Sequence, residues 1–246
     1  VTSRFVIEKD IDENRMFYVS YTKGYKPGGS NLTYGREDVV APIVVLPTFE
    51  EEVVDAYEFG LKADIAGGRT RINSAVFFYN YEGLQYQATD PELYQGGVSN
   101  IAESEIYGAE VELSTYVTDS MILDANLSWI ETEITADHFA LDNVQSDIAT
   151  NALIAQGVNQ FSDQVQIARA AEITNVKGNE LAKTPNFTAN LALTWEGFVE
   201  NWGELSNSLQ YIYRGYFKHR MFNNPLTDMV PDYEVLDLSL IHISEP

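Results

Sequence analysis

The sequence predicts an all-β fold: an antiparallel up-and-down transmembrane β-barrel, with about nine strands present. Three observations predict it. First, Lys183 to Glu196 splits into two rows when every second residue is taken. Phe187, Ala189, Leu191, Leu193 and Trp195 are apolar, with an aromatic at each end, whereas Asn186, Thr188, Asn190, Ala192, Thr194 and Glu196 are almost wholly polar. Period-two alternation marks a strand with one greasy and one wet face, and the bracketing aromatics suggest that the greasy face meets lipid.

Second, the pattern recurs. Leu123, Ala125, Leu127 and Trp129 alternate with Asp124, Asn126 and Ser128. Tyr107, Ala109, Val111 and Leu113 alternate with Gly108, Glu110, Glu112 and Ser114, and Tyr57, Phe59, Leu61, Ala63 and Ile65 with Glu58, Gly60, Lys62 and Asp64. None of the four apolar rows holds a charge, as a lipid face requires, since a charge at the midplane of a barrel wall costs about 2–4 kcal/mol.

Third, the joints sort by length. Strand-like segments fall at 2–11, 15–25, 53–66, 69–87, 103–118, 121–136, 183–196, 205–216 and 232–240. Tight polar turns at Asp12-Glu13-Asn14, Gly67-Gly68 and Thr118-Asp119-Ser120, and a slightly longer one at 197–204, alternate with long connections at 26–52, 88–102, 137–182 and 217–231. Short turns at one end and long loops at the other fit a membrane barrel better than a Greek-key sandwich. Tyrosines near strand ends (Tyr18, Tyr21, Tyr25, Tyr79, Tyr81, Tyr211 and Tyr213) suggest an aromatic girdle. The longest connection contains TNALIAQGVNQFSDQVQIARAA, poor in β-branched residues and suited to a short helix. The 26–52 connection, with Pro27, Gly28, Gly29, Pro42 and Pro47, reads as irregular.

At the chain's end Leu236, Leu238 and Leu240 share a face, but Ile241 and Ile243 take the opposite parity. That one-residue slip, together with SLIHISEP, reads as an artefactual tail over 241–246 after a barrel portion over 1–240. The chain begins at Val1 with no visible signal peptide, so a piece of a longer protein is expected.

Composition narrows the function. The net charge of −22 argues against nucleic acid as a partner, because phosphate binding needs clustered Lys and Arg. The absence of cysteine excludes disulfides and thiolate chemistry. No apolar run approaches a helical membrane span, a test to which a barrel is blind. Glu103, Glu105, Glu110 and Glu112 resemble paired carboxylates, about 6–7 Å apart by strand rise, but a solvated polar wall explains them more simply. His138, His219 and His242 accompany no nucleophile elbow and no metal-ligand spacing, so no catalytic residue, metal ligand or cofactor is expected. Gly28-Gly29 reads as a turn rather than an anion cradle. The Asn-x-Ser/Thr triplets at Asn31, Asn126 and Asn186 are set aside, two of them lying within strand-like segments.

Four stretches resemble the C-terminal barrel of TonB-dependent outer-membrane receptors: FYVSYTKGYKPGGSN (17–31), YEFGLKADIAGGRTRINSAVFFYNYEGLQ (57–85), NIAESEIYGAEVELSTYVTDSMILDANLSWIETEI (100–134) and GNELAKTPNFTANLALTWE (178–196). The resemblance covers most of residues 2–240 and lacks the family's plug domain and its aromatic closing strand. It implies a portion of a barrel of on the order of 22 strands, in the outer membrane of a Gram-negative bacterium. It implies no enzyme but active transport: outer-membrane lipid around the barrel, a plug inside it, the TonB complex as energy source, and a scarce nutrient (siderophore-iron, cobalamin, haem or glycan) as small-molecule ligand. Lipid-facing candidates are then Phe187, Leu191, Leu193, Trp195, Leu123, Leu127 and Trp129. Lumen-facing candidates, placed to touch ligand or plug, are Glu58, Lys62, Asp64, Glu110, Glu112, Asp124, Asn126, Asn190 and Arg214. A passive porin-like channel is the alternative, separated by whether a plug precedes Val1. A secreted, soluble glycan-binding β-protein is the third reading, separated by solubility without detergent.

Overall fold

In a computed structural model, residues 2–31, 48–89, 96–200 and 202–243 are described. One nine-stranded antiparallel sheet dominates: β1 (Ser3–Asp12), β2 (Arg15–Lys26), β3 (Glu52–Ile65), β4 (Thr70–Thr89), β5 (Gly96–Thr118), β6 (Met121–Ile134), β7 (Phe187–Val199), β8 (Gly203–Arg214) and β9 (Tyr233–Ile243). Each strand pairs with its sequence neighbours and no crossover occurs, which is the meander expected. Several strands far exceed the globular mean of about 5–6 residues, β4 reaching 20 and β5 23.

The turns obey local chemistry. Gly67 and Gly68 hold φ of 68° and 85°, a left-handed path that glycine adopts without Cβ strain. Asp12 accepts from Asn14 N at 3.0 Å and binds Arg15, closing the first hairpin.

Three boundaries differ from expectation. The 88–102 connection is mostly strand, because β4 and β5 stay paired out to Thr89 and Gly96. This glycine-rich run has little strand propensity, but Asn31 exchanges two 2.8 Å bonds with the Val98 backbone, and Asn100 donates to Gly83 O at 2.6 Å. β7 begins at Phe187 rather than 183, since Pro185 has no N–H for a ladder. β9 runs to Ile243 without a bulge, so Ile241 lies on the face opposite Leu240; residues 244–246 fall outside the described ones.

The longest connection folds into α1 (Asn143–Ala155), α2 (Asp163–Ala170) and a small ladder joining 139–141 to 173–175. Asp142 caps α1 by accepting from Val144 N and Gln145 N at 3.1 and 3.2 Å. The main apolar core lies where these loops pack onto the ends of β4, β5 and β6. Ile101, Ile134, Ala140, Val176 and Met221 pack with Leu84, Tyr86, Leu181 and Phe222.

Candidate functional site

Cross-strand register fixes which side chains share a face. On the polar face Glu58 lies opposite Phe77, Lys62 opposite Asn73, Asp64 opposite Arg71, Glu110 opposite Ala75 and Ser128, and Glu112 opposite Asn73 and Asn126. Asn126 continues to Asn190, Asp124 lies opposite Ala192, and Arg214 lies opposite Thr188. All nine polar candidates thus share one face. Eight of them line three hollows in it, of about 490, 410 and 250 Å3, while Asp124 lines none of these.

This face is knitted by side-chain bonds. Tyr18 donates to Glu58 Oε1 at 2.6 Å and lies over Gly60, with Lys62 Nζ 5.7 Å above its ring. Arg71 binds Asp64 through two nitrogens at 2.8 and 3.2 Å. Asn73 donates to Glu112 at 3.2 Å, Ser128 to Glu110 at 3.3 Å and Gln210 to Asn190 at 2.8 Å. The Arg214 guanidinium stacks 4.8 Å from the Phe217 ring. Among the described residues, Glu58, Glu110 and Glu112 form no salt bridge.

The opposite face collects Leu123, Leu127, Trp129, Phe187, Leu191, Leu193 and Trp195 with the apolar rows of the other strands. It is open: Phe59 is 49% exposed, Val76 53% and Leu238 77%. Toward the long loops it ends in aromatics. Tyr21, Tyr57, Phe78 and Tyr107 form one cross-strand line, with rings 5.2 Å apart at Tyr21–Tyr57 and 6.5 Å at Tyr57–Phe78. The next line outward is Lys23, Asp55, Asn80 and Glu105, abruptly polar, with Lys23 Nζ 3.1 Å from Asp55. Tyr18, Tyr79 and Tyr81 belong to the polar face instead, so the girdle is built from a different subset of aromatics than their nearness to strand ends suggests.

The edge of the apolar band is oblique. It stands at Tyr107 on β5, one alternate-residue step lower at Trp129 and Phe187, another lower at Tyr213, and a third at Leu236, beyond which come Glu234 and Asp232. Three such steps over the seven strand spacings from β2 to β9 are a rise of about 20 Å across about 34 Å. The resulting slope of about 30° is close to the strand tilt of a closed membrane barrel.

Beyond this band the loops fold over the polar side of the sheet. Leu181 N donates to Thr132 Oγ1 at 2.9 Å, Ile134 N to Asn179 O at 2.9 Å, and Tyr86 OH meets His138 Nε2 at 2.8 Å. Burial holds the His138 imidazole below its ordinary pKa, favouring the neutral ring. Arg220 joins two loops, since its Nη1 lies 2.6 Å from Asp142 Oδ1 and its Nε 2.8 Å from Asp228 Oδ1. Between loops and strands lies a cavity of about 580 Å3, with Leu84, Ile101, Met221 and Phe222 among its apolar lining and Tyr86, Lys183, His219 and Arg220 as its charged or titratable lining. Sequence reasoning missed this cluster because its parts are distant in the chain. Two local signals were available: Asp142 just before a helical run, and Phe-Lys-His-Arg as the densest basic stretch in an acidic chain.

Comparison with known proteins agrees with this geometry. A family model described as the β-barrel of TonB-dependent-receptor-like proteins matches residues 5–243. The probable TonB-dependent siderophore receptor PiuA of Acinetobacter baumannii is 26% identical over 125 residues, covering 50% of this chain and 16% of that protein. Among solved structures, the ferric yersiniabactin uptake receptor FyuA of Yersinia pestis superposes with TM-score 0.65 at 16% identity, over 96% of this chain and 29% of that one. The siderophore receptor PiuA of A. baumannii gives 0.64 at 18% identity, over 96% and 28%. At these identities the superpositions establish fold, and the chain spans less than a third of each relative. The family consists of outer-membrane receptors for uptake, not enzymes. With its family model running nearly end to end, this chain belongs to the TonB-dependent receptors and is a stretch of their outer-membrane β-barrel.

Proposed function

We propose that this chain is part of the wall and mouth of an outer-membrane receptor that takes up a scarce nutrient with energy supplied through TonB. The observation that carries the reading is the aromatic-edged apolar band, which holds no charge from β3 to β8 and is interrupted on the edge strand β1 by Lys9, opposite Phe17. An exposed apolar face of this extent has no place in water, and it has the depth of a bilayer. Phe187 and Trp195 are eight residues apart on β7, about 27 Å along the strand and about 23 Å after a 30° tilt, against about 25 Å for the lipid band of such barrels. On this reading Phe187, Leu191, Leu193, Trp195, Leu123, Leu127 and Trp129 face lipid. The polar row from Glu58 to Arg214 then faces the lumen, and its Glu58, Glu110 and Glu112, which form no salt bridge among the described residues, suit contact with cationic groups of a plug domain.

Active uptake is favoured over a passive pore because the long loops pack onto the strand ends around Ile101 and Ile134 instead of standing clear of them. A ferric siderophore is the favoured cargo class, as PiuA is named a siderophore receptor and FyuA a ferric yersiniabactin uptake receptor. The copper transporter OprC, similar with TM-score 0.59 at 12% identity, marks the fold's breadth of cargo. The experiment is nutrient uptake by cells carrying the complete receptor. Uptake should vanish when TonB is deleted or the proton gradient collapsed, whereas undiminished uptake in both conditions would establish a passive channel.

A further inference from the structure

The mouth cavity has a charge character opposite to that of the chain. The sequence holds 37 acidic residues against 15 Lys and Arg, yet among the described residues no Asp or Glu lines the cavity, whereas Lys183, His219 and Arg220 do. The nearby acids are already engaged. Asp142 and Asp228 are buried behind Arg220 and bind its guanidinium from two sides. Arg220 therefore holds the wall in shape, and its charge is spent.

Lys183 is different. Among the described residues its ammonium forms no salt bridge. Its backbone sits at φ 63°, in the left-handed region that non-glycine residues seldom occupy. That position is held by its own N–H, which donates to Lys218 O at 2.7 Å and ties the approach to β7 to the 217–231 loop. Strain of this kind persists where surrounding structure over-determines it, and it clusters at binding sites. The same cavity is lined by Leu84, Ile101, Met221 and Phe222. Lys183 is itself exposed, so its ammonium is open to a ligand arriving from solvent.

We propose that this cavity binds an anionic small molecule with a flat apolar or aromatic body, the apolar walls covering that body and Lys183 supplying the counter-charge. A volume of about 580 Å3 suits such a ligand. A bare metal cation finds no carboxylate lining here, and no cluster of His, Cys, Asp or Glu able to hold one occurs among the described residues. The assignment rests on the uptake reading above and narrows its cargo by charge.

The test uses the complete receptor, purified in detergent, and two gallium(III) complexes: the trianionic tris-catecholate and a monocationic linear trihydroxamate carrying one free amine. Binding is followed by tryptophan quenching, and folding of each variant by heat-modifiable gel mobility. The tris-catecholate complex is expected to bind, and Lys183→Gln to weaken it by about tenfold or more, as loss of a charge-assisted bond implies. Lys183→Arg should restore affinity to within about threefold. The cationic complex should bind weakly and respond to neither substitution. Absence of tris-catecholate binding, an unchanged affinity in a folded Lys183→Gln variant, or equally tight cationic binding would each overturn the proposal. Uptake by cells keeps the two readings apart. TonB-dependent uptake that ignores Lys183→Gln overturns only the charge assignment, whereas uptake without TonB overturns the transport reading itself.

Discussion

Gly60 carries no side chain, and Tyr18 occupies the space that this leaves. A Cβ built on Gly60 would lie within 2.5 Å of the edge of the Tyr18 ring and its hydroxyl, which continues to Glu58 at 2.6 Å. An aromatic laid over a cross-strand glycine covers the bare backbone and pins the register. Gly60→Val is therefore expected to evict the ring, release Glu58 and destabilise the barrel by about 1–3 kcal/mol, measured as a shift in the urea midpoint of the folded gel band. His138 makes a pH-dependent counterpart in the loops. Its burial lowers its pKa from 6.5, so the unfolded loop binds the proton more readily than the folded one. The stability it contributes is full above pH 6.5 and is lost as pH falls through 6.5 toward the lower folded value. Neighbouring Asp137 has its pKa lowered by Asn175 and Lys177 and stays charged through that window. Amide exchange around 138–141 and 173–176, corrected for intrinsic rates, is expected to quicken between about pH 7.5 and about pH 5, and His138→Gln should abolish the difference.

The elements show which parts of the molecule local sequence can express. All nine strands of the main sheet were legible, because a two-faced strand writes its alternation into adjacent residues and a tight turn writes its own glycines or Asp. The paired extension of β4 and β5 was not legible, since Gly96-Gly97 gives no local strand signal and the pairing is fixed by Asn31, 67 residues away from Val98. The mouth was illegible for the same reason, as Tyr86 meets His138 across 52 residues and Arg220 meets Asp142 across 78. The helix expected in the longest loop became two, and the signal for the first, Asp142, lay outside the run that suggested it. Asp142 serves α1 twice, as N-cap and as partner of Arg220. Asp142→Asn keeps a good cap and drops the charge, whereas Asp142→Ala loses both. The two variants should differ by about 1 kcal/mol in the exchange protection of α1, and both should loosen the 217–231 loop by about 3 kcal/mol or more, because Arg220 loses one of its two carboxylate partners.

At the scale of the whole molecule, the two faces carry the claim that this sheet is a barrel wall. Leu127 and Asn126 are adjacent on β6 and lie on opposite faces of the sheet. In the complete receptor Leu127→Arg puts a charge into the apolar band, at about 2–4 kcal/mol, and should lower outer-membrane levels severely, whereas Asn126→Arg enters a polar row and should assemble nearly normally. Immunoblots of isolated outer membranes would read this, and equal levels of the two variants would reverse the assignment. The most direct measurement follows β7 residue by residue. Single cysteines placed from 187 to 195, in a stretch with none of its own, carry a fluorophore in the complete receptor reconstituted into bilayers. Quenching by lipid-borne nitroxide should alternate with period two, strong at 187, 189, 191, 193 and 195 and weak between them, with an aqueous quencher showing the complementary pattern. Quenching without alternation, or strongest at the even positions, would contradict a wall with its apolar row in lipid and its polar row in the lumen.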